Sequence, residues 1–237
     1  MGGRDQQSEH RPVTDATGGR TDGTRQQILR AASREFANRP YTMVSLDDIT
    51  ASAGLTKGGL YFYFQSKNAL AVAIIDEQLQ IVREGISKRL GRRLSGLETL
   101  IETSYFIGTL DIQSDEVRAA LHLIEQIGRS GGLQASLFGE WSSAIEAMVS
   151  QGITDGDIVE GADPKAVSRL VMSIYMGLRQ TCDLDAPAEL FSSLEHAWTL
   201  MLPGLAAPDR LGYFVQFVRR CSAVANRNVS RPKQPPT

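Results

Sequence analysis

Residues 45–70, SLDDITASAGLTKGGLYFYFQSKNAL, carry three helix-start signals in close succession. They restrict this part of the chain to short helices joined by tight turns. Ser45 precedes Leu46, Asp47 and Asp48, so its hydroxyl can accept from a free first-turn N–H, and the two acids sit where the helix dipole favours them. The helix that follows carries Leu46, Ile49 and Thr50. It must stop at Ala53-Gly54, because glycine takes the left-handed C-cap conformation at little steric cost. Thr56 then caps a second short helix, and Ser66 caps the next helix along the chain. A short helix ending in Ala-Gly, then a leucine, then a threonine-capped short helix is the spacing of a helix-turn-helix, whose second helix enters the DNA major groove.

The residues of that second helix fit the reading. Lys57, Gly58 and Gly59 fall in its first turn, where side chains meet base edges and phosphates. Each glycine there costs about 1 kcal/mol relative to alanine, which close approach of a phosphate to a helix N-terminus explains. The aromatic run divides by face. Leu60 and Phe64, four apart, are predicted to pack inward with Phe36 and Ile49, whereas Tyr61 and Tyr63 carry hydroxyls that stay wet and donate to phosphates. Lys67 opens the third helix, where the dipole disfavours a cation, so an anion is expected beside it. Net charge is only −2, yet residues 21–70 carry +2 and residues 71–237 carry −4. A basic head on an acidic body places the anion at the head.

Ile28, Leu29, Ala32 and Phe36 recur at helical spacing from Thr24 until Pro40 ends the run. Upstream, residues 1–23 are polar and aperiodic and are expected to form a disordered arm; the basic, proline-rich residues 227–237 are expected to form a disordered tail. No Gly or Pro interrupts ALAVAIIDEQLQIVRE, so the helix opened at Ser66 should reach about Gly85 or Gly91 and join head to body. Further helices are predicted at about 97–110, 114–128, 136–151, 164–182, 187–202 and 208–225, punctuated by GRSGG, GITDGD and LPGLAAPD. With no strand alternation of useful length, the expected fold is all-α. A three-helix helix-turn-helix domain over 24–70 is joined to a larger helical ligand-binding and dimerisation domain over 71–226.

Several function classes drop out. Cys182 and Cys221 are too few for a disulfide framework or zinc knuckle. His10, His122 and His196 lack motif-spaced partners, so no catalytic residue, metal or cofactor is expected. GRSGG lacks the lysine and preceding strand of a phosphate loop. No apolar run reaches the roughly 18 residues of a membrane span, and the N-terminus lacks an apolar signal core; a cytoplasmic protein without a membrane partner is expected. Polar and aromatic residues set in apolar helical faces are the better lead, since a pocket in a helical bundle is mostly apolar with a few oriented donors. Tyr105, Gln126, Trp141, Ile145 and Tyr175 fit that description as candidate ligand contacts, against the alternative of ordinary core. Finally, Val167, Leu170, Val171, Ile174 and Leu178, followed by Leu190, Leu194, Trp198, Met201 and Leu202, present more apolar surface than one outer face needs. A homodimer would bury it and set two recognition helices about 34 Å apart, or a multiple of that, on a pseudo-palindromic operator.

Residues 24–73 resemble the DNA-binding domain of the TetR family of bacterial repressors, whose pattern runs from an Ala-Gly turn into Thr-Lys-Gly-x-Leu-Tyr-x-His/Tyr-Phe-x-x-Lys-x-x-Leu. The resemblance implies that Ser45, Thr56, Lys57, Tyr61, Tyr63 and Lys67 face the operator. Tyr63 stands where many members carry His, which keeps a phosphate donor and removes titration near neutral pH. The order GRRLSGLETL, DEVRAALHL and FGEW is similar to the γ-butyrolactone receptor branch of that family, although GRSGGLQASL departs from the branch's proline-rich loop. This second resemblance implies a small-molecule inducer of γ-butyrolactone, butenolide or furan type, with Trp141 over the signal pocket. A repressor of an efflux pump or metabolic gene is the alternative within the family. A helical ligand-binding or scaffold protein, with the helix-turn-helix as mere architecture, is the alternative outside it.

Overall fold

The computed structural model describes residues 18–128 and 133–230, which form α-helices joined by short turns, with one isolated antiparallel bridge between Ile158 and Ala206. The head consists of α1 (Gly18–Asn38), α2 (Leu46–Ala53) and α3 (Lys57–Tyr63), with a 3-10 turn at Tyr41–Met43 between the first two. α4 (Lys67–Leu90) runs from head to body. The body adds α5 (Gly96–Gln113), α6 (Asp115–Ile127), α7 (Leu133–Thr154), α8 (Pro164–Thr181), α9 (Pro187–Leu205) and α10 (Leu211–Val229).

The local signals act as their chemistry requires. Ser45 closes a capping box with Asp48, and Thr56 and Ser66 accept from the N–H groups of Gly59 and Ala69. Gly54 sits at φ 65°, ψ 32°, and its N–H reaches the carbonyls of Ala51 and Thr50. A side chain at that left-handed position would strain the turn that sets α3 against α2.

Boundaries differ where polar sequence hides the helical period. α1 begins at Gly18, upstream of the expected Thr24, where the polar stretch GGRTDG carries no apolar period to mark a helix. Of the arm expected over 1–23, residues 1–17 lie outside the described residues, as do 231–237 of the expected tail, whose first residues belong to α10. The turn expected at GRSGG is described only at Gly128. α9 continues past Pro203 to Leu205, since a proline within the last turn forfeits one N–H bond near an end that is already open.

Packing divides into two apolar clusters. In the head, Ile28, Phe36, Ile49, Leu60, Phe64, Leu70 and Ile74 meet Ala119, Leu123 and Ile124 of α6 and Leu137 of α7. The head is thus seated on the body along α6, and each fully buried large side chain contributes about 1.5–3 kcal/mol. In the body, α5 and α7–α10 enclose Phe191, Trp198 and Phe214, with Trp198 Nε1 donating to Ser104 Oγ at 3.0 Å. This corrects the expected dimer face. Leu190, Leu194, Trp198 and Leu202 turn into the protomer's own core, because α9 packs along α10 and against α5. Leu170 on α8 and Leu200 on α9 do face outward, 50% and 82% exposed.

Candidate functional site

The exposed surface of the head brings together the residues singled out in the sequence. Ser45, Thr56, Lys57 and Gly58 are exposed, Tyr61 is 50% exposed, and Tyr63 is half-buried against the head core. The caps use the Ser45 and Thr56 oxygens as acceptors. Each hydroxyl keeps its proton for an external acceptor. Lys57 Nζ lies 2.8 Å from Asp47 Oδ1 with both side chains largely exposed, and that hydrogen bond raises its pKa. Such a surface pair is weak enough to open. A Cβ built on Gly58 would meet nothing within 4 Å, so the protein's own packing gives no reason for glycine there. Sequence reasoning left out Phe62, which is 77% exposed on α3 and packs edge-on against the Tyr63 ring at 5.0 Å. An apolar side chain left so bare on the reading helix was visible as the unassigned member of the YFYF run.

Lys67 requires a correction. Its ammonium donates to the carbonyls of Tyr41 and Val44, both at 2.8 Å, and sits 4.2 Å from the centroid of the Tyr41 ring. The anion expected beside it is supplied by carbonyl dipoles and a π face of the same chain, which the unforeseen 3-10 turn brings there. Lys67→Ala should therefore lower stability by about 1–2 kcal/mol and leave unchanged the slope of log affinity against log salt. A slope flattened by about one unit would instead place the ammonium on a phosphate.

A cavity of ≈ 120 Å³ lies in the body, walled by α4, α5, α6, α7 and α8. Trp141, Ile145 and Tyr175 line it, together with Gln78, Thr103, Leu121, Ile124, Met172 and Met176. Trp141 is half-buried and packs against Phe138 with ring centroids 5.5 Å apart and the planes tilted by 35°. A wider groove of ≈ 460 Å³ between α7 and α8 shares Met172 and Met176 with it.

Two candidates fall outside the cavity. Tyr105 is buried in the body core, its ring stacked near Phe191 at 6.2 Å, and burial drives its phenol pKa far up. Its neighbours Thr103, Ser104 and Ile107 take the cavity side of α5 instead. Gln126 is exposed, two residues past Ile124 on α6 and hence on another face; its Oε1 accepts from the Tyr41 N–H at 2.6 Å. It fastens the last turn of α6 to the 3-10 turn that Lys67 also holds. His122 lies on the same seam, Nδ1 3.4 Å from the Phe36 carbonyl, and burial lowers its pKa, with the Arg179 charge adding to the effect.

Beside the cavity is a charged cluster that sequence reasoning missed. Arg179 donates to Asp111 at 2.6 and 3.3 Å through Nε and Nη2 and also bonds Glu125, while Gln180 donates to Glu125 at 2.7 Å. Arg179 and Asp111 are almost fully buried, with side chains 1% and 0% exposed. Burial opposes the guanidinium charge, but the two carboxylates more than offset it, and its pKa is raised. Tyr175, a cavity wall, donates to Asp111 at 3.3 Å; burial, then the neighbouring carboxylate, pushes its phenol pKa well up. The cue was present: Val171, Tyr175 and Arg179 recur every fourth residue and share one face of α8. The cluster ties α8 to α5 and to the turn of α6 that carries Gln126.

Comparison with known proteins agrees with this anatomy. The profile of bacterial regulatory proteins of the tetR family matches residues 28–74. The A-factor receptor protein of Streptomyces griseus is 27% identical over 194 residues, 80% of this chain; the chain spans 66% of that protein's length. The transcriptional repressor KstR2 of Rhodococcus jostii RHA1 is 30% identical over 158 residues, covering 62% of this chain and 75% of that protein. A crystal structure of a γ-butyrolactone receptor, an ArpA-like protein, superposes with a TM-score of 0.74 at 27% identity, covering 86% of this chain and 99% of that one. The family match and these relatives define a helix-turn-helix transcriptional regulator. The chain belongs to the TetR family.

Proposed function

We propose that this regulator is a cytoplasmic homodimeric repressor, released from a pseudo-palindromic operator by a small signal of γ-butyrolactone, butenolide or furan type. The observation that carries the reading is the apolar cavity lined by Trp141, Ile145 and Tyr175, whose α4 and α6 walls also bear the DNA-binding head. The likeness to the A-factor receptor and to a γ-butyrolactone receptor supports the ligand class. On the operator, Lys57 and the hydroxyls of Ser45, Thr56, Tyr61 and Tyr63 meet phosphates and base edges, and Gly58 lets the backbone approach the duplex closely. The signal acts by population shift: it favours a form in which α4 and α6 move the two α3 helices off their groove spacing. Near-complete release requires the signal to prefer that form by about 5 kcal/mol.

Fluorescence anisotropy of the full chain on DNA upstream of its own gene, at several salt concentrations and with added γ-butyrolactones, tests this. Specific, salt-dependent binding that the lactone abolishes is expected. The Trp141→Ala variant should keep operator affinity while losing release. Binding indifferent to every lactone would discard the ligand class and keep the regulator.

A further inference from the structure

We infer that Thr103 is a polar anchor of the cavity, and that the occupant is a neutral, ring-sized head group with a hydrogen-bond acceptor, such as a lactone or ester carbonyl, on an apolar tail. This rests on the cavity being the signal site proposed above. Its walls are apolar apart from a few hydroxyl and amide groups, and none of the lining residues is charged. An ion buried there would lack a counter-charge, which excludes a carboxylate or ammonium ligand. The other hydroxyls are committed within the protein. Ser104 Oγ donates to the Ile101 carbonyl at 2.7 Å and accepts from Trp198, and the Tyr175 hydroxyl donates to Asp111. Thr103 differs: the residue is 6% exposed, and its Oγ1 is buried with no hydrogen-bond partner among the described residues.

That vacancy is unusual for a helical threonine, which ordinarily turns its hydroxyl back onto a carbonyl of the preceding turn. Thr109, on the same helix, does so, donating to the Tyr105 carbonyl at 2.8 Å. Threonine in a helix divides between two χ1 wells. A rotation between them exchanges methyl for hydroxyl at the cavity wall without moving α5. A ligand acceptor reaching that wall supplies the bond that the protein leaves unmade.

Size narrows the head group. The cavity measures ≈ 120 Å³, a little under the roughly 150 Å³ of a dry cavity that takes up benzene. A five-membered ring fits, and a long tail does not. Met172 and Met176 separate the cavity from the ≈ 460 Å³ groove between α7 and α8. Their unbranched, rotatable side chains are suited to part around a tail.

The test uses the full chain and two probes, 2-hexyl-γ-butyrolactone and its carbocyclic counterpart hexylcyclopentane, titrated by tryptophan fluorescence with calorimetry as a check. Wild type should bind the lactone more tightly than the hydrocarbon. Thr103→Val, which keeps the branched shape, should weaken the lactone about tenfold and leave the hydrocarbon unchanged. Thr103→Ser should hold lactone affinity within about threefold of wild type. The melting temperature of unliganded Thr103→Val should stay level or rise, because the substitution removes a buried hydroxyl that has no partner; Thr103→Ala serves as a second variant with the same binding expectation. Lactone affinity unchanged in both the valine and alanine variants overturns Thr103 as anchor while leaving the cavity as the signal site. Wild type that binds neither probe overturns the neutral ring-sized head group itself. Failure of the proposed repressor function is separately visible, as operator DNA that the protein does not bind.

Discussion

Replacing Arg179 by alanine is expected to lower the stability of the chain by about 3–5 kcal/mol and its melting temperature by roughly 10 °C. The size follows from what the substitution strands. Asp111 is fully buried and receives two hydrogen bonds from Arg179 and one from Tyr175. Without the guanidinium, a carboxylate remains in the core with a single phenol for company, and Glu125 loses its cation and keeps only the Gln180 amide. Removing both charges should be far milder. The double variant Arg179→Met with Asp111→Asn is expected to recover more than half of the loss, because a buried pair roughly breaks even against neutral groups of similar volume. Thermal unfolding followed by circular dichroism, on the three proteins side by side, checks the claim. A single variant as stable as wild type would mean that water reaches Asp111 and that the cluster is open. The cluster also bears on induction. It joins a cavity wall, Tyr175, to the α6 turn whose Gln126 holds the head, so the double variant, if folded, is a direct probe of how signal reaches DNA.

The head was legible in the sequence because its constraints are local. A cap, a left-handed glycine and a second cap each act within four residues, and they fixed α2, the turn and α3 together. Leu60 and Phe64 were placed inward by spacing alone, and both are buried. Lys67 was legible as a cation in an unfavourable place, but its partners are the carbonyls of Tyr41 and Val44, at the start and just past the end of the 3-10 turn, more than twenty residues away in sequence. Nothing in the period of YTM announces a turn of that kind.

The body was legible in its elements and less so in its faces. Each predicted helix exists, yet an apolar stripe does not reveal which neighbour covers it. Leu190, Leu194 and Trp198 looked like spare surface and are core, because α10 closes over them. Gln126 and Tyr105 failed as cavity residues for a related reason. Both sit in apolar surroundings along the chain, but the cavity side of their helices is carried by Ile124 and by Thr103 and Ile107. Trp141, Ile145 and Tyr175 share the cavity, and no local rule could have said that α7 and α8 turn these faces toward each other. The Arg179 cluster shows the converse: spacing placed Arg179 on the Tyr175 face, and only the carboxylates contributed by two other helices make that position tenable.

The proposed dimer yields the largest expected effect on DNA binding. Leu200 is 82% exposed on α9 and Leu170 is 50% exposed on α8, and neither contributes to the protomer's own core. Leu200→Glu should leave each protomer folded, within about 0.5 kcal/mol of wild type, as surface changes do. If the outer faces of α8 and α9 form the contact between copies, two carboxylates brought together near the two-fold axis, in place of two apolar side chains, should split the dimer. Operator affinity would then fall by about a hundredfold or more, since a single head binding one half-site loses the effective concentration that the second head supplies. Sedimentation and anisotropy should move together, monomer mass appearing at the same protein concentration at which operator binding weakens. Leu90→Glu, at a 57% exposed position on α4, controls for added charge and should change neither. Dimer mass and full operator affinity in Leu200→Glu would move the contact to another face. Monomer mass with undiminished affinity would break the link between pairing and DNA binding, and would leave a single α3 helix to account for all of it.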